Sequence, residues 1–243
     1  MLSLAFAQGI LAAGIPLAER RSGYEFMGAQ TRAMQDDAVT GPAAAPLLDG
    51  ESLWKGGCAG CHGDATSSMR GVAARYPAVD AASGAPQNLE QRINACVTGK
   101  MKKPALAYES RELLELSAYV GRQSRGMPIA DPMSPQAKPY IEAGRATYFR
   151  RQGQLNFSCS QCHDDNWDRK LAGTPITQGH ATGYPVYRLE WQNLGSLERR
   201  IRSCMTGVRA EPYPFGARDM VELELYLMWR ARGMKLETPA VRP

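Results

Sequence analysis

One cysteine pattern occurs twice in this sequence, and it constrains the fold more than any other feature. Cys58–His62 and Cys159–His163 both read C-x-x-C-H. Each copy is followed by one further cysteine, Cys96 or Cys204. The six cysteines of the chain therefore form two equivalent sets of three, which predicts a tandem repeat of two similar modules.

C-x-x-C-H is the attachment signature of c-type haem. Its two cysteines add across the haem vinyl groups, and the adjacent histidine binds the iron from the proximal side. A zinc site is disfavoured, because the paired motifs that would complete such a site are absent. We therefore predict two covalently bound haem c groups, each with its iron. The predicted attachment residues are Cys58, Cys61 and His62 in the first copy and Cys159, Cys162 and His163 in the second.

The two lone cysteines lie in matching surroundings. Leu89–Gly99 returns in similar form as Leu197–Gly207, with Cys96 and Cys204 at equivalent positions. A thiol in the distal half of a haem module can bind iron opposite the histidine, and thiolate is a strong donor that stabilises ferric iron. We favour Cys96 and Cys204 as the distal iron ligands, which predicts low reduction potentials.

Other interpretations of the distal position stay open on the sequence alone. Methionine is the usual distal ligand of electron-carrying cytochromes, and Met101 and Met205 lie close to the lone cysteines, although not at equivalent repeat positions. His180 is the one histidine outside the two motifs, and it has no counterpart in the first module. A Cys96–Cys204 disulfide is the alternative in an oxidising compartment. Equivalent positions in tandem modules tend to lie far apart, which argues against that disulfide.

The predicted fold class is mostly α-helical, with two tandem class-I cytochrome-c-like modules and long irregular loops. An apolar stripe with helical spacing near the end of the first module recurs near the end of the second. The two stripes are Leu113, Leu116 and Val120, and Met220, Leu223 and Leu227. The predicted divisions are a truncated signal segment at 1–18, an extended leader at 19–48, the first cytochrome c module at 49–128, a linker at 129–139, and the second module, with the active-site haem, at 140–243.

A glycine and an aromatic residue precede each motif at matching positions. Gly50 and Trp54 in the first module correspond to Gly144 and Tyr148 in the second. This pair is expected where the first helix of a module packs beneath a haem. Residues 164–190, which contain several glycines and prolines, are expected to form a loop over the edge of the second haem.

Haem is attached to C-x-x-C-H outside the cytoplasm, so we expect a periplasmic protein. Residues 1–18 contain an A-x-A-like cleavage site at Ala5–Ala7 but lack a charged n-region. A membrane anchor is the alternative for this stretch, which is too short for a comfortable span, and no stable membrane insertion is expected. The net charge of +5 favours anionic ligands or acidic partners, and no nucleic-acid-binding pattern is present.

Arginines surround the second lone cysteine, which has Arg199, Arg202 and Arg209 nearby as well as Arg200. Arg200 precedes Cys204 by four residues, so the two share one face of a helix. A guanidinium beside the sulfur would favour the thiolate and could hold an oxyanion through two hydrogen bonds. Arg92 has the same relation to Cys96. Because arginine is denser around Cys204, we favour the second module as the reactive one, although these arginines could instead neutralise haem propionates or form a solvated face.

The combined pattern resembles the SoxA family, the dihaem subunits of the SoxAX cytochromes of sulfur-oxidising bacteria. Besides the haem motifs and lone cysteines, Arg21–Met27 and Cys204–Ala210 look like that family. The resemblance implies L-cysteine S-thiosulfotransferase activity, in which thiosulfate is joined oxidatively to a cysteine of a SoxYZ-like carrier and electrons pass to c haem. It implies a SoxX-like monohaem cytochrome c partner. It also implies that Cys204 carries an extra sulfur as a persulfide and that Arg200 binds substrate.

Two further functions are compatible with a dihaem chain. One is a dihaem electron-transfer cytochrome without transferase activity, which would be expected to use methionine or histidine as distal ligands. The other is a dihaem peroxidase, which needs a vacant or displaceable distal position beside acid–base groups. The matched pair Cys96 and Cys204 disfavours the electron-transfer cytochrome. The chain is short for a dihaem peroxidase, and a single loop histidine such as His180 gives that function little support.

Overall fold

The computed structural model describes residues 15–243, so the predicted signal segment lies mostly outside the described residues. The stretch that was expected to be an extended leader is partly helical. A 3-10 turn at Leu17–Glu19 spans its start, and it contains a second 3-10 turn at Gly23–Phe26 and helix α1 (Ala29–Asp36). Across 15–243, no helix is both long and apolar enough to cross a membrane.

The first module is a group of helices around the first C-x-x-C-H copy. Its first helix begins at Ala44, ahead of residue 49, and a π-helical turn at Trp54–Cys58 continues directly into the motif. A 3-10 turn follows at Ala73–Arg75. The helices of this module are α2 (Ala44–Leu53), α3 (Ala59–His62), α4 (Ala65–Ser68), α5 (Leu89–Gly99) and α6 (Arg111–Arg122).

The second module repeats this order of helices except that α4 has no counterpart in it. Its helices are α7 (Lys138–Phe149), α8 (Cys159–His163), α9 (Leu197–Gly207) and α10 (Arg218–Ala231). Helix α7 packs against α10 as α2 packs against α6, so the first and last helices of each module form its frame. This arrangement confirms the predicted fold class of two tandem, mostly helical cytochrome-c-like modules.

Side-chain caps fix where the two cysteine-bearing helices begin. At α5, Asn88 Oδ1 accepts the Gln91 N–H at 2.9 Å, and Gln91 Oε1 accepts the Asn88 N–H at 3.0 Å. At α9, Ser196 Oγ accepts the Arg199 N–H at 3.0 Å. The caps set the same register in both modules, so the lone cysteine is the eighth residue of its helix in each.

The first and last helices of each module cross at a glycine. Gly50 lies against the backbone carbonyl of Glu115, and Gly144 lies against that of Glu222. A Cβ at either glycine would overlap the carbonyl group, so the helices can approach this closely only without one. This close approach is the structural reason for the repeated glycine.

The predicted apolar stripes face the interiors of their modules. All six stripe residues are buried, the least so being Leu227 at 8% exposed. The aromatic residues that follow the crossing glycines, Trp54 and Tyr148, are 4% and 1% exposed. Each core therefore forms between its crossing helices, close to the haem motif.

Short strands connect and support the helices. The antiparallel pairs are β1 (Ala78–Val79) with β2 (Pro86–Gln87), β3 (Lys170–Leu171) with β4 (Thr174–Pro175), and β5 (Val186–Arg188) with β6 (Asn193–Gly195). The C-terminal strand β7 (Ala240–Arg242) adds to β5 in parallel. Gln35 of α1 accepts the Val241 N–H at 3.1 Å, which ties the leader to the C-terminus.

The modules meet at a buried acidic cluster between the starts of α5 and α9. Asn88 Nδ2 donates to Glu198 Oε1 at 3.1 Å, and the Gly216 N–H donates to Glu198 Oε2 at 2.7 Å. Burial raises the pKa of Glu198 to about 7, against the lowering effect of the Gly216 bond. Burial likewise raises the pKa of Glu90 to about 7 and that of Glu224 well above its ordinary value.

Candidate functional site

The first C-x-x-C-H copy lies on a continuous turn of helix. The π-helical turn ends at Cys58, and α3 carries Cys61 and His62. The His62 ring lies 5.7 Å from the Trp54 ring, and Trp54 Nε1 donates to the Gly63 carbonyl at 3.0 Å. These contacts hold the exposed His62 against the core of its module.

The second copy has a more enclosed histidine. His163 is half-buried, and its Nδ1–H donates to the Thr177 carbonyl at 2.7 Å. Gly179 packs against the same ring, since a Cβ there would lie 3.0 Å from His163 Cγ. Because the Nδ1 position is engaged, Nε2 is the nitrogen that is available to a metal. The donor set and the close-fitting ring support therefore fit a covalently attached haem.

Each lone cysteine lies beside its own motif. Burial raises the pKa of the Cys58 thiol, and nearby Cys96 raises it further. In the second module, burial and then Cys204 raise the pKa of Cys159 to about 11, and the same two causes raise that of Cys162. No two of the six cysteines are joined by a disulfide in the part of the chain that is described. The structure thus brings together the two sets of three that the sequence defines.

Cys204 faces the proximal histidine of its module. Its sulfur lies close enough to His163 to be affected by that side chain, so the two residues belong to one site. Burial raises the pKa of the Cys204 thiol, but the His163 bond and the charge of Arg200 outweigh it, and the net pKa is below the ordinary value. The pocket therefore favours a thiolate at this position.

Among the arginines predicted around Cys204, Arg200 interacts with the cysteine, whereas Arg199 and Arg202 pack on aromatic rings. Arg199 lies over the Trp191 ring at 4.1 Å. Arg202 lies over the Phe215 ring at 4.5 Å. Burial lowers the pKa of the half-buried Arg200, but the Cys204 charge reverses the direction and the net pKa is raised.

Two residues of the site were not predicted from the sequence. Tyr184 lies within electrostatic range of both Arg200 and Cys204, and burial raises its pKa. Arg188 is 9% exposed, its charge lowers the pKa of Cys204, and its Nε has no hydrogen-bond partner within residues 15–243. The sequence does contain a signal for the tyrosine, because Tyr76 of the first module is also followed by proline and lies near Cys96. The interval from Tyr76 to Cys96 equals the interval from Tyr184 to Cys204.

The alternative ligand candidates occupy other places. Met205 is 4% exposed and belongs to the core of the second module. Met101 lies against the backbone of Gly57, next to the first motif. His180 Nδ1–H donates to the carbonyl of Arg21 in the leader at 3.1 Å, and burial lowers the pKa of this histidine to about 4. His180 is therefore a neutral link to the leader.

Two helical modules, each with a C-x-x-C-H turn facing a cysteine, define the chain as a tandem c-type cytochrome. The family model described as SoxA/TsdA, cytochrome c domain, matches residues 49–129 and 143–236, which include one motif each. The chain belongs to the SoxA family, and the resemblance seen in the sequence is confirmed. Its domains are those of proteins that carry covalently bound haem c.

Similar proteins extend over most of the chain. It is 34% identical to the L-cysteine S-thiosulfotransferase subunit SoxA of Pseudaminobacter salicylatoxidans, over 94% of this chain and 83% of that protein. It is 32% identical to the subunit of the same name from Rhodovulum sulfidophilum, over 92% and 80%. The crystal structure of SoxXA from P. pantotrophus matches 92% of this chain and 87% of that chain, with 32% identity and a TM-score of 0.89.

Proposed function

We propose that this chain is the dihaem subunit of a periplasmic L-cysteine S-thiosulfotransferase. In this proposal it joins thiosulfate to a cysteine of a SoxYZ-like sulfur carrier and works with a SoxX-like monohaem cytochrome c. The observation that carries the proposal is the placement of Cys204 opposite His163, with Arg200 on the same helix. The curated names of the relatives and the SoxXA crystal structure support the reaction and the partner.

Two haems are proposed because each matched domain contains one C-x-x-C-H copy. Cys58 and Cys61 would hold the first by thioether bonds, and Cys159 and Cys162 would hold the second. The proposed axial pairs are His62 with Cys96 and His163 with Cys204. When bound, the haem groups supply a one-electron acceptor for each step of a two-electron oxidation.

Arg200 is proposed to bind the oxyanion end of thiosulfate. A guanidinium can donate two parallel hydrogen bonds to such a group, and the charge of Arg188 adds to the local positive potential. This contact would orient the outer sulfur of thiosulfate toward the sulfur on Cys204. Tyr184 and Arg188 also lie beside Cys204 and would line the same space.

The proposed reaction balances in two steps. The Cys204 thiolate sulfur, or the outer sulfur of a Cys204 persulfide, forms a sulfur–sulfur bond with thiosulfate, and two electrons leave. The thiolate of the carrier then attacks the transferred sulfur, which still bears the sulfonate, and the enzyme sulfur leaves as thiolate. The sum is the oxidation of one thiol and one thiosulfate to a thiosulfonate, with release of one proton and two electrons.

The test uses the holoprotein with its partner subunit, thiosulfate, the carrier and an electron acceptor. We expect a thiosulfonate adduct on the carrier cysteine by intact mass, and loss of that adduct in Cys204→Ser. Ser203→Ala is the matched control, since Ser203 is the exposed neighbour on the same helix. Reduction of the acceptor without an adduct would support a plain electron-transfer cytochrome, and turnover of hydrogen peroxide would support a peroxidase.

A further inference from the structure

The loop after β4 has two faces that alternate residue by residue. Thr177 and Gly179 contact the His163 ring, through the Nδ1–H bond at 2.7 Å and through direct packing. Gln178 and His180 point the other way and bind the leader. One short segment therefore connects the proximal histidine with a part of the chain that lies far earlier in the sequence, ahead of the whole first module.

Gln178 makes the tighter of the two leader contacts. Its Oε1 accepts the Arg21 N–H at 2.7 Å, and its Nε2 donates to the Glu19 carbonyl at 3.2 Å. The side chain is 1% exposed, so neither bond has water as a ready substitute. His180 adds the bond from Nδ1–H to the Arg21 carbonyl, so Arg21 is bound through both its N–H and its C=O.

A second anchor comes from α10. Arg230 Nη2 donates to the Gln178 carbonyl at 3.3 Å and to Asp164 Oδ1 at 2.6 Å. Asp164 directly follows His163, and its Oδ1 also accepts the Tyr148 hydroxyl at 3.0 Å. The loop is therefore held on one side by the core of its module and on the other side by the leader.

We propose that Gln178 is a positioning residue through which the docked leader sets the Nδ1–H···O=C bond of His163. The inference rests on the proposed attachment of a haem at Cys159, Cys162 and His163. A firm bond from Nδ1–H to a carbonyl gives the imidazole more electron density to donate to iron. Loosening the loop weakens this bond, so the ferric state is stabilised less and the reduction potential of that haem rises.

The test replaces Gln178 by methionine, which has nearly the same volume and forms neither bond. The matched control is Gln35→Met: Gln35 is also a buried glutamine, at 6% exposed, and it also binds the leader to the second module, but at β7. Both variants are measured as holoprotein with the partner subunit. The readouts are spectroelectrochemical midpoint potentials, the electron paramagnetic resonance signal of each haem, and the melting temperature.

We expect Gln178→Met to raise the midpoint potential of the second haem and to broaden its resonance signal, while Gln35→Met changes only the melting temperature. Equal potentials in both variants and the wild type would overturn the proposal. If Gln178→Met does not fold, Gln178→Glu is measured instead, because it retains the acceptor for the Arg21 N–H. A rise in the midpoint potential of the second haem in Gln178→Glu would also refute the proposal. A covalent haem count and the carrier adduct are measured on the same samples, so failure of the proposed function is recognised separately.

Discussion

Replacing Gly144 by alanine tests the helix crossing that frames the second module. An alanine Cβ at this position would lie 2.6 Å from the carbonyl carbon of Glu222 and 2.9 Å from Tyr226 Cβ. Ordinary contacts of a Cβ are 3.4–4 Å. Because the nearest obstacle is backbone on α10 rather than a rotatable side chain, α7 itself must move away.

The expected loss follows from two opposing effects. Overpacking of a close contact costs about 3 kcal/mol when backbone atoms must separate. Alanine is favoured over glycine inside a helix by about 1 kcal/mol, which offsets part of that cost. The net loss is therefore about 2 kcal/mol, which lowers the melting temperature of a chain of this size by about 4–8 °C.

The measurement is thermal unfolding of the holoprotein followed by far-ultraviolet circular dichroism. Gly207→Ala is the matched control, because Gly207 is also helical and has no heavy atom within 4 Å of an added Cβ. We expect Gly207→Ala to melt at or slightly above the wild-type temperature. Equal melting temperatures for Gly144→Ala and Gly207→Ala would refute the argument that backbone contact is what requires glycine at the crossing.

Two other substitutions test the site and the contact between the modules. Arg200→Lys would lose the proposed pair of hydrogen bonds to the oxyanion, so kcat/KM for thiosulfate should fall about 10- to 100-fold. Arg92→Lys, at the equivalent position of the first module, should change kcat/KM less than twofold in the same steady-state assay. Glu224→Gln removes a buried carboxyl whose pKa is raised in the folded state. The contribution of such a group to the stability of the folded protein is fully present below the unfolded pKa, near 4.5. It is lost as pH rises toward the folded pKa. Glu224→Gln should therefore raise the melting temperature more at pH 8 than at pH 5, and an equal effect at both pH values would contradict the burial argument.

The sequence predicted the features that recur locally within each module. A glycine, an aromatic residue and a C-x-x-C-H turn recur in order, and helical spacing places each on a definite face. This is why the repeated glycine–aromatic pair and the buried stripes were predicted, whereas the crossing of each glycine with the last helix of its module was not. The capped starts of α5 and α9 likewise give both lone cysteines the same register.

Contacts between distant parts of the chain were not predicted. The helix in the leader is short and is stabilised by its contact with β7, and that strand pairs with β5 only after the chain has folded back on itself. Arg188 belongs to β5, so nothing in its local sequence places it beside Cys204. The sequence predicts Arg199 and Arg202 as charge around the cysteine, yet they lie over aromatic rings that only the fold brings near.

The two modules share the arrangement around the lone cysteine and differ around the histidine of the C-x-x-C-H motif. The interval from the proximal histidine to the Tyr-Pro pair runs from His62 to Tyr76 in the first module and from His163 to Tyr184 in the second, where it is longer by half. The longer interval contains Thr177–His180, the segment that holds His163 and binds the leader. His62, in the shorter module, is exposed and lies against an aromatic ring of its own module instead. The extra residues thus supply the enclosure of one histidine, and they make the duplicated scaffold asymmetric around the histidines of the two motifs.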